Sequence, residues 1–460
     1  MKKLAVLGSL LIITAVCIAI TKAERTPIAG ISANINLTGN ADSGYTYITT
    51  GDYITSGLSL DFYRLTFRNK NKKLLKRDKL NNKVGYDFNV VTAPNGQTIA
   101  VPNCLTCHAE VFDGKLIIGL GNTSKDYTSG QVYNSKFMQA AGLSFLKKIN
   151  KQKYNALQTF SSRALIVDDQ VFTKTLGSNP ADRLTEVLIA HMNPDDFTWD
   201  DKPRTQINKQ IIPTDVPAWW NVKYKNALYY NAVARGDFNK TAMLAALLTI
   251  RDSDDANKIY KHMPDVLSYI FSVEAPKYPK QINTQLAAGG KQVFINNCSH
   301  CHGDYEPVIS YPNKLITEDV VGTDSFYNTA NFNTPYVVNW FNKGWFGKAN
   351  SKAQLVPSKA YVAPPLTGVW ITAPYLHNGS VPTLQALLNS SLRPKYWQKK
   401  PVAKTYDYVN VGVVYSTRSS QKNKKTYNTT LPGYGNMGHN FGDALTDDER
   451  NAVIEYLKTL

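Results

Sequence analysis

Residues 296–305 read "NNCSHCHGDY", and their core is Cys298-Ser299-His300-Cys301-His302. Two cysteines at this spacing serve as a metal clip, a redox thiol pair or a haem anchor. The rest of the chain decides among them. There are five cysteines: Cys17, Cys104, Cys107, Cys298 and Cys301. Cys17 lies in an N-terminal apolar run, and the other four form two pairs, "NCLTCHAE" and "NCSHCHGD". A disulfide in each pair is the default in an exported protein, but it leaves the histidine after each second cysteine without a purpose. Tetrahedral zinc on four cysteines leaves His108 and His302 unused as well, and the pairs are far apart in the chain. A c-type haem accounts for every position. Two thiols add to the two vinyl groups, and the adjacent histidine reaches the iron as proximal ligand. The expectation is therefore two covalent haems, on Cys104, Cys107 and His108 and on Cys298, Cys301 and His302. His300 reads as a solvated spacer, because His302 already fills the proximal role.

The N-terminus sets the compartment. Lys2 and Lys3 precede "LAVLGSLLIITAVCIAI", and "TKAER" offers a small-residue cleavage site after Ala23. This is the pattern of a secretory signal peptide, residues 1–23, and it places the mature chain in the periplasm or outside the cell. An uncleaved membrane anchor is the alternative. Val16 before Cys17 is a poor fit to a lipoprotein signal. The formal net charge of +17 attracts anions, acidic partners or anionic membrane. No zinc-finger, RRM-like or helix-turn-helix signature accompanies that charge, so nucleic acid is not an expected partner.

At 460 residues with 43% apolar side chains, the chain is globular and exceeds what one core usually supports. The expected fold class is mainly α, with two cytochrome c-like haem domains and long loop insertions. Residues 24–85 form an N-terminal extension ending in the basic run "FRNKNKKLLKRDKLNNK", read as a solvated face ahead of a docking patch. Residues 86–278 form the N-terminal haem domain, in which "PADRLTEVLIAHM" and "NKTAMLAALLTI" carry helical periodicity. "EAPKYPKQI" is the linker, and residues 280–460 form the C-terminal cytochrome c domain. In the latter, "YWQKKPVAK" and "STRSSQKNKKTYNTT" read as surface loops. "LAAGGKQVFINNCSHCHG" predicts a helix leading into the second motif, with Leu286, Gly290, Val293 and Phe294 on one stripe. "LTDDERNAVIEYLKTL" opens with a capping box, Thr446 and Glu449, and continues as a helix.

Residues 363–388, "APPLTGVWITAPYLHNGSVPTLQALL", add a further element. Tyr375-Leu376-His377-Asn378-Gly379-Ser380 resembles the "PY-x-H-[DN]-G" element of the bacterial dihaem cytochrome c peroxidase superfamily. "NCLTCHAEVFDGKLIIGLGN", "TDVPAWWNVKYKNALYY" and "GHNFGDALTDDER" look like its longer members, the group that includes the rubber oxygenases. The resemblance implies two facing c-type haem domains with a calcium ion between them, held in part by the carbonyls of Thr372 and Pro374. It also implies that Gly290 and Phe294 meet Tyr456 where the first and last helices cross. His377 would lie beside the C-terminal haem or its propionates; a structural loop histidine is the alternative. The chain departs from the peroxidases in one respect, since no methionine follows the His377 element at the family's spacing. "GYGNMGHNFG" instead offers His439 as distal ligand of the second haem, as in the longer members, with Met437 as the alternative.

For the first haem no distal ligand stands out. His191 sits on an apolar helical stripe with Leu184, Val187 and Leu188 and reads as a core histidine, and His262 and Met263 are ambiguous. An open distal face is the expectation. Trp219 and Trp220 are candidates for the electron path between haems or for core aromatics. Three functions follow: an oxidoreductase whose N-terminal haem activates peroxide or dioxygen while the C-terminal haem supplies electrons, an oxygenase of an organic substrate, or a dihaem electron carrier. Each needs a redox partner protein or a small electron donor.

Overall fold

A computed structural model of the chain describes residues 37–67, 74–78, 80–129, 136–208, 210–332, 334–348, 352–400 and 406–460. The expected signal segment, residues 1–23, lies outside them. Among the described residues no helix is long and apolar enough to cross a membrane. The fold is mainly helical, with small antiparallel sheets of two or three strands.

Two buried clusters organise the chain. One surrounds the first motif. The hairpin Phe88–Thr92 and Thr98–Pro102 leads straight into Cys104, and the short helix Leu105–His108 follows. The chain then returns through a second hairpin, Ala109–Phe112 and Lys115–Ile118. Its turn is Asp113-Gly114, both at positive φ, the pair that matches the twist of flanking strands. Helices Ala41–Thr50 and Met263–Ser272 pack together beside it. The residues expected to be an extension are thus part of this cluster. Arg77, in the basic run, is not a solvated face. Its guanidinium donates to the carbonyls of Thr49, Phe88, Asn81 and Gly85 and ties the helix to the hairpin. Within that run residues 68–73 and 79 lie outside the described residues, while Lys76, Asp78, Leu80, Asn82 and Lys83 are exposed, as a solvated face requires.

The second cluster surrounds the Cys298 motif. Between Ser272 and Thr284 the chain has no regular structure, as two prolines predict. Helix Thr284–Asn297 then crosses the C-terminal helix Asp447–Leu457. Asn283 caps the first helix, and Thr446 with Glu449 forms the expected capping box on the second. At the crossing Gly290 replaces a side chain with close backbone approach, since a Cβ there would fall 1.8 Å from the carbonyl oxygen of Ala452. Phe294 and Tyr456 meet with ring centres 5.3 Å apart. The buried stripe differs slightly from expectation. It runs through Ala287, Gly290 and Phe294, while Leu286 is exposed and Val293 half-buried.

Three segments depart from their predicted form. "NKTAMLAALLTI" is helical only over Phe238–Ala242 and then tightens into a 3₁₀ turn, Met243–Leu248. Met243 and Ala246, three apart, are both buried, the spacing that eclipses on a 3₁₀ turn. The two expected surface loops form a sheet from Tyr396–Lys399, Tyr415–Thr417 and Tyr427–Asn428. Trp397 and Tyr427 stack on its buried face at 5.2 Å, and the lysines and serines point outward. Residues 335–348 and 353–355 pack into the first cluster rather than the second. Trp340 Nε1 donates to the Met192 carbonyl, and Ala353–Leu355 pairs with Ala234–Gly236. The chain therefore interleaves its two halves.

Candidate functional site

The second motif lines a cavity of about 220 Å³. Helix Thr284–Asn297 ends at Cys298, a further turn spans Ser299–His302, and Gly303 at φ 86° stops it. This geometry aims Cys298, Cys301 and His302 into the cavity. Nδ1 of His302 donates to the Pro364 carbonyl at 2.9 Å, which fixes the ring and leaves Nε2 as a ligand atom. Burial lowers the His302 pKa, and the bond to Pro364 partly offsets it.

His439 comes from the opposite side. Gly438 and His439 both take positive φ, and the His439 amide donates to the Val321 carbonyl at 2.6 Å. The two imidazoles face each other with centres 6.1 Å apart and planes at 67°. A ring centre sits about 3.2 Å from a metal bound at ~2 Å, so two rings on one metal are separated by about 6.3 Å. The observed gap fits one iron. Burial, and the His302 and Arg393 charges, push the His439 pKa down to about 3, which keeps it neutral and able to ligate. Met437 is 55% exposed. Two thiols outside any disulfide, two neutral imidazoles and a largely apolar cavity together fit a c-type haem.

Two residues to which the sequence assigned no role hold the His439 loop. The Arg393 guanidinium donates to the carbonyls of Asn436, Gly438, His439 and Leu387, and its Nε to that of Ala386. Asn378 is fully buried, and its amide donates to the carbonyls of Gly433 and Gly435, both at 2.9 Å. The element Tyr375-Leu376-His377-Asn378-Gly379-Ser380 thus anchors the loop that carries His439. Arg393→Ala should cost about 2 kcal/mol, because it strands several carbonyls at once. Denaturant unfolding of the haem-loaded protein measures it, and an unchanged midpoint would remove the clamp.

His377 is buried against Tyr361, Tyr327 and Tyr230, with ring centres 5.0, 5.7 and 6.4 Å away. Its Nε2 has no hydrogen-bond partner, and burial pushes its pKa down to about 4. The His377 carbonyl accepts from the Asp215 amide at 2.8 Å. Burial pushes the Asp215 carboxyl up to about 8, although the Tyr230 hydroxyl donates to it at 3.2 Å. Thr372, Pro374, Asp215 and His377 line the same cavity as His302. Among the described residues no group of three or more His, Cys, Asp or Glu side chains is placed to hold a bare metal ion. A hard cation there would rest on carbonyl oxygens with Asp215 as the carboxylate beside them.

The first motif carries the same donors. Cys104 and Cys107 are free, and Nδ1 of His108 is buried without a partner. Burial pushes the His108 pKa down to about 4. The Cys104 amide donates to the Tyr53 hydroxyl, and the Cys107 sulfur lies 3.3 Å from the Tyr127 hydroxyl. The donor chemistry fits a haem. The cavity against Cys104, lined by Ile48, Met243 and Met263, is only about 20 Å³, space for a water or two. Trp219 stacks on His108 at 4.9 Å and belongs to the first cluster. Trp220 belongs to the second, where its Nε1 donates to the Thr367 carbonyl. These adjacent indoles join the two clusters. His191 is buried against Trp199 with Nδ1 bonded to the Asp200 carbonyl, a core position, and His262 stacks on Tyr47 at 4.3 Å.

Two uncharacterized proteins of Sinorhizobium fredii are similar in sequence. One is 30% identical over 250 residues, 40% of this chain and 41% of its own length. The other is 25% identical over 291 residues, 54% of this chain and 64% of its own. The chain thus spans less than two thirds of either relative. Among solved structures, hydrazine synthase of Kuenenia stuttgartiensis is similar at 15% identity and a TM-score of 0.25, over 54% of this chain and 73% of that one. A MauG-like protein associated with microbial copper homeostasis is similar at 16% identity and a TM-score of 0.29, over 66% and 88%. Residues 360–398 match the RoxA-like, cytochrome c-like family. That match contains Pro364, which orients His302, the whole Tyr375–Ser380 element and Arg393, so the resemblance read from the sequence is borne out there. The chain carries a RoxA-like, cytochrome c-like segment, which implies covalently bound haem c.

Proposed function

We propose that this chain is an exported dihaem c-type cytochrome that works as an oxidoreductase. Bound haem would supply electron transfer at the C-terminal site and activation of peroxide or dioxygen at the N-terminal site. The observation that carries this reading is the His302–His439 pair, with ring centres 6.1 Å apart across the cavity. Histidines on both faces would leave a haem there no open position, which supports electron transfer at that site and any reaction with substrate at the other motif. Trp219 and Trp220 shorten the path between the two sites. His377 shapes the cavity wall through its contacts with three tyrosines. The carbonyls of Thr372 and Pro374, beside Asp215, would hold a calcium ion. Electrons come from a redox partner protein or a small donor outside the cytoplasm.

A plain dihaem electron carrier is the second reading, favoured by the small cavity at Cys104. One experiment separates them. Mass spectrometry of the chain purified from a cytochrome-maturing host should show two added haems, and the oxidised protein should show a high-spin component in its absorption spectrum. Two haems that are both low-spin in either redox state select the carrier. A mass equal to the bare polypeptide ends both readings.

A further inference from the structure

Lys225 follows the 3₁₀ turn Trp219–Tyr224, and its amide donates to the Val222 carbonyl. The residue is 6% exposed and lines the cavity that also holds Cys298, Cys301 and His302. Lysines are almost never this buried without an anionic partner. Lys223, two residues earlier, has one, since its ammonium meets Glu274 at 2.6 Å. Among the described residues Lys225 forms no ion pair. Burial alone pushes its pKa down to about 8, with no acidic group acting on it. One turn back, Asn221 lines the same cavity, and its Oδ1 is buried without a partner. Either end of that amide can face the cavity. A buried cation and an unsatisfied amide thus share one wall of a largely apolar space.

We propose that Lys225, assisted by Asn221, binds a propionate carboxylate of the haem attached at Cys298 and Cys301. This rests on the reading of that motif as a haem site. A haem brings two carboxylates into the cavity, and an ionised carboxylate there is costly unless a cation meets it. The ammonium keeps the propionate ionised, and its positive charge in a poorly screened space favours the reduced over the oxidised iron. Lys225 is a positioning and potential-setting residue that touches the cofactor's edge, away from the axial ligands.

The test is a spectroelectrochemical titration of the full haem-loaded chain over a range of pH, for wild type, Lys225→Met and Lys225→Arg. Lys225→Gln replaces the methionine variant if the latter does not fold. Lys225→Met should lower the midpoint potential of the second haem alone and make it pH-dependent as the freed propionate titrates. Lys225→Arg should keep the wild-type value. Equal potentials and pH profiles in wild type and Lys225→Met overturn the proposal. So do equal shifts in the methionine and arginine variants, which mark a packing effect. A lysine-dependent shift seen only with added acetate overturns it too, in favour of a free carboxylate as the occupant. If mass spectrometry finds no haem at Cys298 and Cys301 in the wild type, the reading beneath the proposal has failed and takes the proposal with it.

Discussion

His439→Ala should convert the second haem almost completely from low-spin to high-spin, while the spectrum of the first haem stays as it was. The His302 and His439 rings face each other at a separation that admits one iron, and both are neutral at physiological pH. Removing one imidazole leaves a free axial position, because no replacement is at hand. Met437 points to solvent, and Phe441, the other ring in contact with His439, offers no ligand atom. The rest of the loop should stay in place, since Arg393 and Asn378 hold it through backbone carbonyls that the substitution does not alter. Met437→Ala should change little, because an exposed thioether makes no contact with the iron site. Absorption and electron paramagnetic resonance of the oxidised protein read both variants. A sulfur-to-iron charge-transfer band in the wild type, lost in Met437→Ala, would sink the His439 assignment and return the chain to the peroxidase pattern. If electron transfer between the haems falls in folded His439→Ala, the division of labour between the two sites gains support.

What the sequence made legible was local or tied to chemistry. Cys298, Cys301 and His302 are contiguous, and their spacing carries its own meaning. Thr446 with Glu449 and the Gly290–Phe294 pair are short-range patterns with a physical reason. The closed site depends on contacts that no short window holds. Arg393 acts on carbonyls of residues 436–439, and any basic residue in a polar stretch looks the same in a sequence. Lys225 sits among aromatic and polar neighbours in "NVKYKNALYY", and nothing local distinguishes it from Lys223, which pairs with Glu274. Asp215 meets the His377 element only through the fold, its amide donating to the His377 carbonyl. The sheet built around Trp397 was read as loop for a related reason. Its strands are only two to four residues long and are separated by lysine- and serine-rich stretches, so the alternation is too short to register. The interleaving of residues 335–348 and 353–355 with the first cluster is likewise a long-range fact, fixed by Trp340 and by a strand pairing across the chain.

Gly290→Ala should be the most damaging single methyl that can be added to the second cluster. The new Cβ would lie 1.8 Å from the Ala452 oxygen, 2.3 Å from its carbon and 2.9 Å from the Val453 nitrogen. All three are backbone atoms of the opposing helix, so no side chain can rotate away. Relief requires the two helices to separate. Separation breaks the Phe294–Tyr456 contact and moves Val453 and Leu457, which line the haem cavity. Overpacking against yielding neighbours costs about 1–3 kcal/mol. Against rigid backbone the cost here should be about 4 kcal/mol, in the range reserved for severe core lesions. Gly289→Ala is the control. It lies one residue earlier on the same helix, and its added Cβ meets nothing within 4 Å. That change should stabilise the chain by about 0.5–1 kcal/mol, since alanine favours helix over glycine. Thermal unfolding of the haem-loaded protein, followed at the second haem's absorption band, reads both. Gly290→Ala should lower the transition steeply and loosen the His302–His439 site, while Gly289→Ala raises it slightly. Equal transitions in the two variants would mean that the helices do not cross at Gly290, and the alignment of His302 with His439 would lose its scaffold.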